Sequence, residues 1–444
     1  MCGRNDICAE ALRVHSPVRQ IHLAFGPFGL FVVLIVGLLA PKSLSWLLVV
    51  LAVASAFAFP GGLVSARISL AIGAVERMLL LFAGLLFLSA VWSADINATL
   101  KTACILALYL VATFIVCRGF ILESPEMLER LAAVVPWAAA GGAVFLIFEF
   151  LTGSELQKLL FTYVPIARPD SAQHIGIEAG RVTLLVPDEL NRSVAFLNLI
   201  LWPSIAILMG RHCRAAAGGL MSLAVAATFL SPNETSWIAI TCGTFVLVVG
   251  LRSLRFSLGI VIGGWLVATL LVVPLVGQAY GARLHMAEWL PVNGRARIII
   301  WAATAEKFRN RPWLGIGADG TRALAEGVKN PEQRPGHVIE WRTGRHAHNI
   351  FLQTWYELGA LGAFLLATTG LFMLRWIGRL PSDRAPYLLA TFASASAIGA
   401  FGWGMWQPWL MAAGCVTGVL AVATTCLARR PQPALRRPLA QWIV

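Results

Sequence analysis

Apolar residues run through this chain in long uninterrupted blocks, not in the alternating or 3.6-residue stripes of a soluble domain. The blocks fall near residues 23–40, 43–60, 77–93, 100–117, 131–152, 194–210, 214–230, 236–251, 256–279, 350–374, 386–403 and 405–427. Each approaches the ~20 residues a helix needs to cross a hydrocarbon core. The pattern therefore predicts an all-α polytopic integral membrane protein with about 12 transmembrane helices. Most connections are only a few residues, but two are long, at about 153–193 and 280–349. The chain divides accordingly into N-terminal membrane helices (1–152), a first long loop (153–193), central membrane helices (194–279), a second long loop with helical segments (280–349), and C-terminal membrane helices with a tail (350–444).

The polar positions between the blocks orient the bundle. Lys and Arg beside a span resist translocation, and every second connection is basic. Arg4, Arg13 and Arg19 precede the first span, and Arg67 and Arg77, Arg118 and Arg130, Arg211 and Arg214, Arg252 and Arg255, and Arg375, Arg379 and Arg384 follow in turn. Arg429, Arg430, Arg436 and Arg437 close the chain, whereas the intervening short connections hold little beyond Lys42 and Lys101. Both termini are thus expected in the cytoplasm and both long loops outside it, on one face, where they can close over one site. Long loops in compact proteins are more often functional than not.

Composition agrees with this picture. Of 444 residues, 58% are hydrophobic and 13% charged, against about half and about a quarter in soluble domains. The formal charge of +13 is spread between apolar blocks and not gathered into a patch, which argues against nucleic acid. The eight cysteines (Cys2, Cys8, Cys104, Cys117, Cys213, Cys242, Cys415 and Cys426) avoid both long loops, so structural disulfides and Cys-rich zinc sites are not expected. Met1 to His22 lacks the short apolar core of a cleaved signal peptide.

The candidate chemistry lies in the second long loop. In Pro291-Val292-Asn293-Gly294-Arg295-Ala296-Arg297-Ile298-Ile299-Ile300-Trp301, Asn293 is placed to cap a helix running to about Arg309. Free N–H groups in its first turn, with Arg297 nearby, suit a phosphate. Arg297 and Trp301 share a face, while Arg295 points elsewhere. An interfacial arginine meeting lipid headgroups fits the same residues. Pro312-Trp313-Leu314-Gly315-Ile316-Gly317-Ala318-Asp319-Gly320 contains a Gly-x-Gly-x-x-Gly. No strand–turn–helix unit surrounds it, so it reads as a flexible turn between loop helices. Finally, Arg345-His346-Ala347-His348-Asn349 leads into an apolar span that carries Glu357-Leu358-Gly359. Near a positive helix end and several arginines, an imidazole tends to stay neutral, the form a general base needs. His346 and His348 also offer two metal ligands, without a convincing third, and a purely structural histidine fits the local features equally.

One resemblance links these motifs. The run His346-Ala347-His348-Asn349, an aromatic, Leu352, Glu357-Leu358-Gly359 and Gly362, preceded by Gly-x-Gly and by Arg297-x-x-x-Trp301, resembles the shared region of O-antigen ligases and the related O-antigen polymerases. Upstream, Gly180-Arg181-Val182-Thr183 followed by Asn191 and Ala195 resembles that family's first loop arginine and its Asn-x-x-x-Ala motif. The resemblance covers roughly residues 180–365, and the first five spans contribute only topology. The spacing from Arg181 to Asn191 is longer than the family's, which leaves Arg192 as an alternative, and Ser231-Pro232-Asn233-Glu234-Thr235-Ser236 stands where the family often has Ser-Arg-Gly.

The resemblance implies a GT-C-like fold and a metal-independent, inverting glycosyltransferase that needs no cofactor. It would sit in the bacterial inner membrane with its site facing the periplasm. An O-antigen ligase would move a glycan from undecaprenyl pyrophosphate to a hydroxyl of a lipid A-core acceptor. By motif position His348 is the expected base, and Arg181 and Arg297 the pyrophosphate ligands. His346, Arg192, Arg295 and Asn349 are secondary candidates, and Glu357 a structural or orienting partner. A polymerase that lengthens the lipid-linked glycan, or a transferase to a protein hydroxyl, shares the motifs. A secondary transporter is a weaker reading, because transporters place ionisable residues near the midplane, and here Glu149 lies near an outer end.

Overall fold

A hydrocarbon interior offers the backbone no water, so a spanning chain must satisfy its own N–H and C=O groups, and helices are the simplest solution. The computed structural model describes residues 17–58, 72–164, 175–186, 190–326 and 346–427, and these are predominantly helical. The first group of helices is α1 (Pro17–Leu39), α2 (Leu44–Ala58), α3 (Ala74–Ser89), α4 (Ile96–Leu122) and α5 (Pro125–Thr152). A short helix α6 (Glu155–Tyr163) and a hairpin of β1 (Ile175–Glu178) and β2 (Arg181–Leu185) follow. Next come α7 (Asn191–Gly210), α8 (Arg214–Leu230), α9 (Glu234–Arg252), α10 (Leu254–Leu270) and α11 (Val272–Gly281). The last group is α12 (Val292–Phe308), α13 (Gly320–Glu326), α14 (Ile350–Ile377), α15 (Ala385–Phe401) and α16 (Pro408–Leu427).

Each apolar block of the sequence coincides with one of these helices, or, for 256–279, with the pair α10–α11. Seven described helices are long and apolar enough to cross a membrane, eight if that bent pair counts as one span; four other apolar helices are shorter. The protein is thus an all-α polytopic membrane protein. Its described strands form one antiparallel hairpin, in which Glu178 faces Arg181. The hairpin packs Val182 and Leu185 on Phe161 of α6, and Thr162 Oγ1 accepts the Val182 N–H at 3.0 Å.

Helix α7 is the axis of the bundle, with 83% of its apolar span buried. Lipid tails are as apolar as leucine, so helices associate in a membrane through close packing and buried hydrogen bonds. Both occur here. Trp202 Nε1 donates to Ser394 Oγ (2.8 Å), which donates in turn to the Ala239 carbonyl (2.8 Å), joining α7, α15 and α9. Asn198 Nδ2 donates to the Ser236 carbonyl (3.3 Å), and Thr228 Oγ1 to Asn198 Oδ1 (3.3 Å).

Two interruptions of the helices position the site. Between α10 and α11 the chain turns by 73°. A break of this kind strands a carbonyl, and Trp355 Nε1 donates to Thr269 O at 2.6 Å. The second break is in α14, at Gly359, whose φ of +64° and ψ of −161° no helix contains. It frees carbonyls on one side and N–H groups on the other, and residues 312–317 satisfy both. Ile316 N–H donates to Tyr356 O (3.2 Å) and Gly317 N–H to Glu357 O (2.9 Å), while Ala360 N–H and Leu361 N–H donate to Pro312 O (2.8 Å) and Trp313 O (3.4 Å). The Gly-x-Gly segment is therefore not a flexible turn. Its glycines let two backbones touch: a Cβ on Gly315 would overlap the Glu357 carbonyl, and one on Gly359 would overlap the Trp313 carbonyl.

The early helices also contribute more than topology, because the turn from α3 to α4 grips the other face of this segment. Trp92 Nε1 donates to Leu314 O (3.0 Å), Ala94 N–H to Ile316 O (3.0 Å), and Ala318 N–H to Ser89 Oγ (3.3 Å). Part of the second long loop is in this way inserted among the helices.

Candidate active site

Helix α12 begins at Val292 with Pro291 as its N-cap, without a side-chain cap. The Asn293 cap expected from sequence is thus displaced: Asn293 sits inside the first turn, because proline already fixes the preceding φ and has no N–H to satisfy. Further along α12, Trp301 Nε1 donates to Ala347 O (2.8 Å), pinning the histidine segment to the helix. On the same face, Arg297 Nη1 donates to Thr235 Oγ1 at 3.4 Å, and Thr235 Oγ1 donates to Phe401 O at 2.8 Å. Arg297 is half-buried. Burial lowers its pKa, and Glu234, in the first turn of α9, opposes that shift.

His348 sits just before α14 with a left-handed φ of +52°, a region His visits more readily than most side chains. Asn349 is the N-cap of α14; its Oδ1 accepts the Leu352 N–H at 3.0 Å, fixing where the helix starts. His348 Nδ1 lies 2.8 Å from Gly402 O. A carbonyl only accepts, so Nδ1 carries the hydrogen and Nε2 keeps the lone pair. Burial lowers the His348 pKa most, the Arg297 charge lowers it further, and the Gly402 hydrogen bond opposes them. The imidazole is thus held neutral, in one tautomer, within the electrostatic reach of a guanidinium.

His346 packs edge-on against His348, with ring centroids 4.1 Å apart. Its Nε2 lies 3.3 Å from Gln407 Nε2, and its ring rests on Gly404, where any Cβ would collide with it. The turn between α15 and α16, residues 402–407, therefore cradles both histidines. The same turn reaches Glu357. Met405 N–H donates to Gln353 Oε1 (3.2 Å), Gln353 Nε2 donates to Glu357 Oε1 (3.0 Å), and Trp406 Nε1 donates to Glu357 Oε2. Glu357 also accepts N–H groups from Asp319 (2.8 Å) and Thr321 (3.4 Å). This buried carboxylate ties the inserted loop, α14 and the 402–407 turn into one unit.

The remaining sequence candidates divide between elements that build this centre and the hairpin outside it. Arg192 is half-buried in the first turn of α7, beside Asn191, whose carbonyl accepts Asn233 Nδ2 at 2.9 Å. That bond links the start of α7 to the turn carrying Glu234 and Thr235. Arg295 is half-buried, and its Nε meets no hydrogen-bond partner among the described residues. Arg181 lies on exposed positions of β2; the contacts of its hairpin are with α6, and none among the described residues joins it to His348 or Arg297. Arg345 lies outside the described residues.

Sequence reasoning did not single out Gly402, Gln407, Trp406 or Thr235. The glycines and tryptophans of Gly402-Trp403-Gly404-Met405-Trp406-Gln407-Pro408 interrupt an otherwise apolar block, and that interruption was the available signal.

Chemically, the centre offers one neutral imidazole with a directed lone pair and one partly desolvated guanidinium, with Arg295 on the same helix as Arg297 and Arg192 in the first turn of α7. That set accepts a proton and stabilises anionic oxygen. No curated protein matches the chain. Residues 219–367 match a family model described as O-Antigen ligase, a stretch from within α8 to within α14 that contains Thr235, Arg297, His346, His348 and Glu357. The segment that builds this site is therefore O-antigen ligase-like.

Proposed function

We propose that the protein is an O-antigen ligase, transferring a glycan from undecaprenyl pyrophosphate to a hydroxyl of a lipid A-core acceptor at the outer face of the bacterial inner membrane. The observation that carries this reading is the joining of the Arg297 helix to the histidine segment by the Trp301–Ala347 hydrogen bond, with the imidazole tautomer set by Gly402 O. A glycosyl pyrophosphate already has a good leaving group, so positioning and charge stabilisation supply most of the catalysis. His348 Nε2 takes the proton of the acceptor hydroxyl as its oxygen bonds to the anomeric carbon. The carbon–oxygen bond to pyrophosphate breaks from the opposite side, the electron pair leaves with the pyrophosphate, and the anomeric configuration inverts.

Arg297 faces the departing charge, each such contact contributing about 1.5–3 kcal/mol. A second cation from Arg181 or Arg192 completes the clamp. His346 and Asn349 shape the base, and Glu357 positions the loop that backs it. These residues suffice without a cofactor.

The test is incubation of the purified protein with the lipid-linked glycan and the lipid A-core acceptor, with a chelator present. Glycan appearing on the acceptor supports a metal-independent ligase. Longer glycans on the carrier lipid, with the acceptor unchanged, assign a polymerase instead. Transfer that stops with chelator and returns with a divalent ion overturns the metal-independent step.

A further inference from the structure

The end of the bundle farthest from the histidines holds a second polar feature. Helix α7 is 20 residues long, so about 30 Å separates its Asn191 end from its Gly210 end. At the Gly210 end, residues of α5, α7, α8, α9, α15 and α16 and their connections line an open cavity of about 450 Å³. Its charged lining is Arg211, Arg214 and Arg384 with Glu129 and Asp383, beside His212 and Tyr387.

Two of these arginines are held in place by backbone. Arg384 is buried, and one Nη donates to Ala206 O near the end of α7. Its Nε faces Asp383 at 3.3 Å. The guanidinium lies against Gly210, where any Cβ would overlap it. Arg211 Nη2 donates to the Glu129 carbonyl at 2.8 Å. One of the two carboxylates is thus engaged by Arg384, and Arg214 is an exposed cation in the lining. Leu251 and Leu427 complete the lining, and Leu251 is 58% exposed, so the cavity has an apolar flank beside its basic floor.

A cationic cavity with an apolar side wall, at the end of a bundle of membrane helices, fits an amphiphile with an anionic head. We propose that this cavity binds the phosphodiester headgroup of an anionic glycerophospholipid, with Arg211 and Arg214 on the phosphate and the acyl chains along Leu251. The positive-inside pattern puts this end at the cytoplasmic leaflet, where anionic headgroups attract such residues. The assignment stands apart from the transfer chemistry at the other end.

The test is native mass spectrometry of the full chain in neutral detergent with equal amounts of dioleoyl phosphatidylglycerol and dioleoyl phosphatidylcholine. Wild type is expected to retain phosphatidylglycerol about tenfold more. The Arg211→Gln/Arg214→Gln pair, which leaves buried Arg384 intact, lowers that preference to near unity. A control pair, Arg77→Gln/Arg375→Gln, changes exposed arginines that do not line the cavity and keeps it. Unchanged preference in the first pair, or equal loss in the control, overturns the site. Excess inorganic phosphate leaves the lipid bound; complete displacement by phosphate would make this a site for the free anion and overturn the lipid assignment.

Discussion

Gly315 and Gly359 are where the inserted loop and the broken helix meet, and Gly315→Ala tests whether that contact holds the site together. Gly315 has φ of +67°, a conformation that costs a residue with a Cβ about 1–2 kcal/mol. The new methyl would also overlap the Glu357 carbonyl carbon and oxygen. Neither atom is the end of a flexible side chain, so the two backbones must separate. Separation lengthens the Ile316–Tyr356 and Gly317–Glu357 hydrogen bonds, now 3.2 and 2.9 Å, and withdraws the Asp319 N–H from Glu357. At about 0.5–1.5 kcal/mol per bond, the total is on the order of 3–5 kcal/mol, a large part of the stability of a typical domain.

The assay is thermal unfolding in detergent beside Gly263→Ala, a site in α10 where an added Cβ meets nothing within 4 Å. Gly315→Ala is expected to melt lower by roughly 5 °C or more, with transfer activity reduced at temperatures where both proteins are folded. The Gly263→Ala control melts with wild type. If Gly315→Ala melts with the control and transfers glycan at the wild-type rate, the loop is not a structural part of the site.

Arg297→Lys is expected to lower kcat/KM for transfer by about 10–100-fold, since a point charge does not reproduce a planar fork; a wild-type value would leave Arg297 as a headgroup anchor. His348 must be neutral to act as a base, and its pKa is lowered by burial and by Arg297. Activity is therefore expected to be full above the ordinary imidazole range near ~6.5 and to fall only at lower pH, as His348 gains its proton; a limb above that range would mean that another group controls the rate. Glu357→Gln places amide hydrogens among the donors of Gln353, Trp406, Asp319 and Thr321. It is expected to cost about 1–3 kcal/mol or more, measurable as a lower melting temperature, and unchanged melting would remove Glu357 as the anchor of the loop.

The helices were legible because lipid leaves the backbone so few solutions: each apolar block closes its hydrogen bonds within helix, save at the breaks near Leu271 and Gly359. The interruptions were less legible. The block 256–279 conceals a 73° bend, since leucine and valine around Leu271 give no sign that the carbonyl of Thr269 is met by Trp355, 86 residues away. The Gly-x-Gly of residues 315–317 reads locally as freedom, but its glycines serve close approach to Glu357, a relation carried by tertiary contact alone. Within the site, His348, Asn349 and Arg297 were visible as residue types beside helix starts. Their partner Gly402 contributes a backbone carbonyl, which has no side-chain signature, and Thr235 is an ordinary residue in a membrane helix until Arg297 reaches it. Arg181, picked out by its motif, lies on a hairpin whose described contacts are with α6.

The central claim is that His348 accepts the proton of the attacking hydroxyl. Its most direct test compares wild type and His348→Ala, both confirmed as folded and monodisperse, in a single-turnover assay that follows label from the lipid-linked glycan to the lipid A-core acceptor. The account predicts label on the acceptor with wild type and a rate about 10²–10⁴-fold lower in the variant, with the lipid-linked donor still bound through the arginines. Transfer by His348→Ala at or near the wild-type rate would contradict it.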